Sequence, residues 1–255
     1  MKPDRYTEDM IVPSYLTDRT RRMSPVAAMA VIQELSYSGG DQVGLGDHLL
    51  SPRGLAWVYS RLHFVMYEAP SFRQPVRLET WHRGLSGPYF LRDYRILDTA
   101  GRTLVAATAA SVIIDVASRT LRRIDRIEGV DTTPQRQEQA LEKQAGKIVL
   151  PSGVPGERML SHRVAGTDLD FVGHTNNLNY LRWALECERR SGDGAVTRPA
   201  DVAVAFLHET HLGETVDYVR YVDGEQHYYA GYVGDRHVVS LRIAARVTPA
   251  GAILS

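Results

Sequence analysis

The run Val26-Ala27-Ala28-Met29-Ala30-Val31-Ile32, introduced by Ser24-Pro25, has helical character and is apolar almost all the way round. A helix of that kind has no solvated side and must be wrapped by other structure. The next part of the chain can wrap it. Four strand-like runs, Ala56 to Tyr67, Val76 to Leu85, Tyr89 to Leu97 and Thr103 to Val116, are rich in β-branched and aromatic residues and are broken at Pro70, Gly87 and Gly101. Glu8 to Leu16 has strand character ahead of the helix, so the order is strand, buried helix, antiparallel meander. Gly39-Gly40-Asp41 reads as the helix end, and Gly44, Gly46, Pro52 and Gly54 as a long loop.

The second half repeats this order. Met159 to Ala165 is strand-like, Asn177 to Arg190 helical, and strands follow at Val202 to His208, Thr215 to Asp223, Gln226 to Val233 and His237 to Val247. Between the halves, Pro134 to Lys147 is polar with some helical character, and Pro151-Ser152-Gly153-Val154-Pro155-Gly156 has linker composition. The expected class is α+β, built from two duplicated units: 1–130, a linker 131–157, and 158–255. Laying Gln74-Pro75-Val76 on Glu214-Thr215-Val216 pairs Ala69 with Glu209, so only the second half has the carboxylate. The polar run 168–177 shows no counterpart near Asp18 to Val26, and both asymmetries point to one active half.

The charge balance, 30 basic against 30 acidic residues, leaves no electrostatic footprint for nucleic acid and no polybasic membrane surface. No apolar run reaches the length of a membrane span, and Met1-Lys2-Pro3-Asp4-Arg5 lacks the apolar core of a signal peptide, so the expected location is cytoplasmic. The single cysteine, Cys187, excludes a disulfide framework and reads as a buried thiol within a helix.

The chemistry-bearing residues crowd into Asp168-Leu169-Asp170-Phe171-Val172-Gly173-His174-Thr175-Asn176-Asn177, a polar turn opening a helix. Helix-start N–H groups beside Asp170 and His174 can polarise a carbonyl where a water is activated. The plainer alternative is that Asp168 or Asp170 satisfies turn amides and Asn176 is an N-cap. Glu209 ends the run Val202 to His208, and alternation puts it on the face of Ala203, Ala205 and Leu207, where an acid suits a general base. Its plainer alternative is a strand-end glutamate turned to solvent. His208-Glu209-Thr210-His211 lacks the helical spacing of a zinc signature, so no metal is expected. The aromatic run Trp57, Tyr59, His63, Phe64, Tyr67 reads as core and tunnel lining.

Together these residues resemble the acyl-ACP thioesterases. In the first half the resemblance rests on Ala56-Trp57-Val58-Tyr59-Ser60-Arg61, Leu78-Glu79-Thr80-Trp81, Leu91-Arg92-Asp93-Tyr94 and Ile113-Ile114-Asp115. In the second it rests on Asp168-Leu169-Asp170, His174-Thr175-Asn176-Asn177-Leu178-Asn179-Tyr180, and Glu209 with Gly213-Glu214. The resemblance implies a tandem hot-dog fold: two long buried helices, each wrapped by antiparallel sheet, with the sheets joined. It implies hydrolysis of fatty acyl thioesters without a cofactor, with acyl carrier protein as partner, and it leaves room for a homodimer. Asp170, His174 and Glu209 match the family's catalytic Asp, His and Glu, while Val172 occupies the place of its Asn. Plant members carry a Cys directly after the Glu; Thr210 stands there, which removes a papain-like mechanism. Asn176 and Asn177 at the helix start are expected to bind the thioester, and Trp57, with Met29, Val31 and Ile32, to line the acyl tunnel. Arg19, Arg21 and Arg22 are candidates for meeting an acidic carrier. The alternatives are a non-catalytic acyl-thioester-binding protein, an acyl-CoA thioesterase, or a hydroxyacyl dehydratase.

Overall fold

The computed structural model describes residues 3–42, 46–191 and 201–244. They form two compact units, 1–64 with 69–145 and 65–68 with 146–255. Unit 1 opens with β1 (Tyr6–Ile11) and the long helix α1 (Pro25–Gln42), followed by a short helix α2 (Asp47–Leu50). Its sheet is antiparallel, in the order β1, β3 (Pro75–Ser86), β4 (Tyr89–Leu97), β5 (Thr103–Asp115), β2 (Leu55–Met66), with β6 (Leu121–Arg122) on β5.

The cause of α1 lies in its sequence. Ser24 caps it, its Oγ accepting the Ala27 N–H at 3.1 Å, and Pro25 occupies the first helical position, where a missing N–H costs nothing. Ala28, Met29, Ile32 and Leu35 are all buried. Each of the larger side chains contributes roughly 1.5–3 kcal/mol on burial. The helix continues through Gly39 and Gly40 to Gln42, one residue past the Gly39-Gly40-Asp41 that the composition marks as its end. Gly39 serves close packing within the helix: a Cβ there would meet Arg92 Nη1 at 2.6 Å and Thr80 Cγ2 at 2.7 Å.

The segment 134–145 is a strap without helix, contrary to its composition. It covers the outward-facing polar residues of the unit 1 sheet. Trp81 Nε1 donates to Glu138 O at 2.8 Å, the Ala140 N–H to Asp93 Oδ2 at 2.7 Å, and Arg83 pairs with Asp93 at 3.0 Å. Burial raises the Asp93 carboxyl above its ordinary range, opposed by the Ala140 amide and the Arg83 guanidinium. Helical propensity loses here because the sheet offers backbone partners to an extended chain.

Unit 2 repeats the plan with β7 (Glu157–Arg163), α3 (Asn177–Ser191), and a sheet ordered β8 (Asp201–Phe206), β11 (Arg236–Ala244), β10 (Gln226–Val233), β9 (Thr215–Asp223), β7. Tyr180, Leu181, Trp183, Ala184 and Cys187 form the buried face of α3. Burial pushes the Cys187 thiol up to about 12. The part of the last expected strand beyond Ala244, and Gly44 of the expected loop, lie outside the described residues.

Candidate active site

The turn into α3 is built by its own polar groups. Asp170 N–H donates to His174 O at 2.8 Å and Gly173 N–H to Asp170 O at 3.1 Å, with Gly173 at φ +84°, a conformation that glycine adopts freely. The Asp170 carboxylate accepts from the Val172 N–H at 2.9 Å and the His174 N–H at 3.3 Å. Asp170 therefore holds the loop that carries His174. Asp168 has a structural task too: its carboxylate accepts the Ala165 N–H at 2.8 Å and stands 2.7 Å from His162 Nε2.

Asn176 is the N-cap, with Oδ1 accepting the Leu178 N–H at 3.0 Å, and its own N–H donates to Asp168 O at 2.8 Å. This is the N-cap of the plainer reading, with the Asn176 backbone N–H bound inside the protein. The Thr175 N–H is bound to Thr210 O at 3.0 Å. At this junction Asn177 presents a first-turn N–H that no described group accepts, at the positive end of the α3 dipole.

Glu209 reaches the same place from β8. The strand ends at Phe206, three residues before it, and the Leu207 and His208 N–H groups both donate to Val238 O, at 2.9 and 3.1 Å. Two residues facing one make a bulge, which re-aims the residues after it. Strict alternation from Ala203 and Ala205 consequently does not place Glu209, which lies off the strand with its side chain 32% exposed. Glu209 Oε2 stands 3.5 Å from His174 Nε2, and the His211 ring packs edge-on against His174 at 5.2 Å. Val172, in contrast, turns a half-exposed side chain to solvent and contributes its amide to the turn.

Two supports of this site were not singled out from the sequence for the roles they play. Thr210, fully buried, donates to Thr175 Oγ1 at 2.6 Å and bonds Tyr180 OH at 2.9 Å, locking the segment after Glu209 to α3. Arg236 donates to Glu209 O at 3.0 Å while pairing with Glu214. Thr210 had a signal in its place beside the matched Glu209; Arg236 had none. Trp57 is in unit 1, partly buried, tilted against Phe90 at 5.1 Å and packed against Leu50, Ile113 and Ile124.

The turn does have a counterpart in unit 1, contrary to the reading of the sequence. Asp18 N–H donates to Arg22 O at 2.9 Å, Arg21 N–H to Asp18 O at 2.9 Å, and Asp18 Oδ1 accepts the Thr20 N–H at 2.7 Å. Met23 N–H donates to Pro70 O at 2.7 Å, as Thr175 N–H does to Thr210 O. Asp18 thus corresponds to Asp170, Arg22 to His174, and Ala69 to Glu209, the last as the sequence alignment of the halves gives it.

A strand, a buried helix capped at a polar turn, and a meander, twice over, match the acyl-ACP thioesterase N-terminal domain over residues 3–128 and the C-terminal domain over residues 155–242. The chain belongs to the acyl-ACP thioesterase family. It is 28% identical over 193 residues to a chloroplastic dodecanoyl-[acyl-carrier-protein] hydrolase of Cinnamomum camphora, covering 69% of this chain and 48% of that one. It is 24% identical over 195 residues to the chloroplastic oleoyl-acyl carrier protein thioesterase 1 of Arabidopsis thaliana, covering 71% and 54%. The chain thus spans about half the length of the curated relatives it matches. Among solved structures, a 12:0-ACP thioesterase from Umbellularia californica aligns with a TM-score of 0.79 at 23% identity, covering 96% of this chain and 98% of that one. An acyl-ACP thioesterase from Bacteroides thetaiotaomicron aligns at 0.76 and 15%, covering 94% and 97%. These two establish the fold. No described helix is long and apolar enough to cross a membrane.

Proposed function

We propose that this chain hydrolyses fatty acyl thioesters of acyl carrier protein, releasing the free fatty acid, with unit 2 as the catalytic half of a tandem hot-dog and unit 1 as the acyl-binding half. The carrying observation is the approach of Glu209 to His174, 3.5 Å apart, on the turn that opens α3 at Asn177. Glu209 takes a proton from a water that attacks the thioester carbonyl. The developing oxyanion is held by the Asn177 N–H and the helix dipole. Collapse of the tetrahedral intermediate breaks the carbon–sulfur bond, and the proton returns to the carrier's thiolate. His174, 3.5 Å from the Glu209 carboxylate, orients that group and assists the transfer. Asp170 is a positioning residue that acts through the turn amides.

Incubating the protein with acyl-ACP and acyl-CoA of several chain lengths, and following free thiol, tests the assignment. The expected result is thiol release from acyl-ACP, reduced by about 10² to 10⁴ in Glu209→Ala. Undiminished turnover in that variant removes Glu209 from the mechanism. Tight binding of acyl-ACP without thiol release overturns hydrolysis in favour of an acyl-binding role, and loss of water from a hydroxyacyl thioester overturns it in favour of a dehydratase.

A further inference from the structure

The motif Leu91-Arg92-Asp93-Tyr94 contains a group that the proposed hydrolysis does not use. Asp93 faces the strap, whereas Arg92 and Tyr94 face α1. Arg92 is 6% exposed, and its Nη1 donates to Thr80 Oγ1 at 3.3 Å. Among the described residues no carboxylate pairs with it. Near it Tyr94 OH lies 2.7 Å from Ser36 Oγ and 3.3 Å from Tyr59 OH, and Ser36 also bonds Tyr59. Burial lowers the Arg92 guanidinium from its ordinary range and raises both phenols. A buried cation that meets no carboxylate among the described residues is stabilised by an acceptor bound beside it.

Unit 2 shows which acceptor fits. Tyr229 pairs with Arg220 across β10 and β9 as Tyr94 pairs with Thr80 across β4 and β3, and His227 precedes Tyr229 as Arg92 precedes Tyr94. Glu188 stands as far from the N-cap Asn176 as Ser36 does from Ser24. At this equivalent place Glu188, 1% exposed, accepts from Tyr229 OH at 2.5 Å and bonds His227 Nδ1 at 2.6 Å, while Arg220 Nη2 lies 3.4 Å from the same His227 nitrogen. In unit 2 the basic His227 has a carboxylate built in; in unit 1 that helix position is a serine.

We infer that the interior of unit 1 binds an acyl chain bearing an oxygen acceptor, a carboxylate above all, with Arg92 as its cation and Ser36, Tyr59 and Tyr94 as its hydroxyl wall. The inference rests on the thioesterase reading for its substrate, and the wild-type protein suffices to test it. Acyl-ACP substrates of matched lengths, ending in a methyl, a hydroxyl or a carboxyl group, are compared by kcat/KM and by calorimetric binding.

At the best length the carboxyl-terminated chain is expected to exceed the methyl-terminated one by about tenfold or more, as a charge-assisted hydrogen bond allows. Ser36→Glu, which supplies the carboxylate of unit 2 internally, and Arg92→Gln are each expected to remove that preference. Equal or better use of the methyl-terminated chain at every length overturns the inference. Absence of hydrolysis with all three overturns the thioesterase reading instead, and binding then decides: tighter binding of the carboxyl-terminated chain supports the site, and equal binding overturns it.

Discussion

The turns at 18–24 and 170–176 share one hydrogen-bond pattern and differ in the side chains they carry. Asp18 and Asp170 each accept from amides two and four residues on, and each donates its N–H to a carbonyl four residues on. Arg21 at φ 61° does what Gly173 does at φ +84°. In unit 1, however, Arg22 sends its guanidinium to Ala69 O at 3.2 Å, where unit 2 brings His174 to the Glu209 side chain. The difference separates what the two turns share from what only one of them has. The aspartate belongs to the repeated scaffold, and the approach of a histidine to a glutamate is found in unit 2.

Exchanges between the halves break this comparison most directly. His174→Ala is expected to lower kcat/KM by about 10² to 10⁴, as for loss of a group assisting proton transfer. Arg22→Ala, at the matching place, should leave kcat/KM unchanged, and a comparable loss would make unit 1 a second site. Asp170→Ala and Asp18→Ala each cost about 1–3 kcal/mol by leaving turn amides without their acceptor, measured by denaturant unfolding. Only the first should also reduce kcat, because only that turn carries a reacting group.

Thr210→Val tests the lock beneath Glu209. Loss of the hydroxyl leaves Thr175 and Tyr180 short of a buried partner and is expected to cost about 1–3 kcal/mol. The expected fall in kcat/KM then reports how far Glu209 depends on that lock. Val172→Asn, on an exposed side chain, should alter stability by no more than about 0.5 kcal/mol. A gain in kcat would identify the valine as a weakened place in the site, and a loss would identify a chemistry fitted to valine. The smallest effect is at Cys187, whose thiol burial raises to about 12. It should ignore a thiol reagent in the native protein and consume one equivalent after unfolding.

Much of the fold was legible because period and punctuation report it locally. β4, β9 and β10 have the limits that their β-branched runs and bounding glycines indicate, and α3 begins where Asn176 can cap it. What escaped was what depends on a partner. Gly39 reads as a helix end until Arg92 and Thr80 are seen to press on it, and 134–145 reads as polar linker until the sheet face it covers is known. The candidate site was legible as three residues, Asp170, His174 and Glu209. What each of them contacts was not, because the bulge at Val238 and the amides around Asp170 do not show in residue spacing.

The sequence by itself determined the duplication, the enclosed helices, the family, and the single carboxylate at Glu209 opposite Ala69. Each follows from residue type and order along the chain. The tertiary structure decided that the Asp170 turn is common to both halves, that the Asn176 N–H is already bound, and that Arg92 is buried with no carboxylate paired to it among the described residues, whereas unit 2 has Glu188 on His227. The reason is physical: a donor, a charge or a glycine acquires its role from the atoms within a few ångströms of it, and in this chain those atoms come from residues distant in sequence.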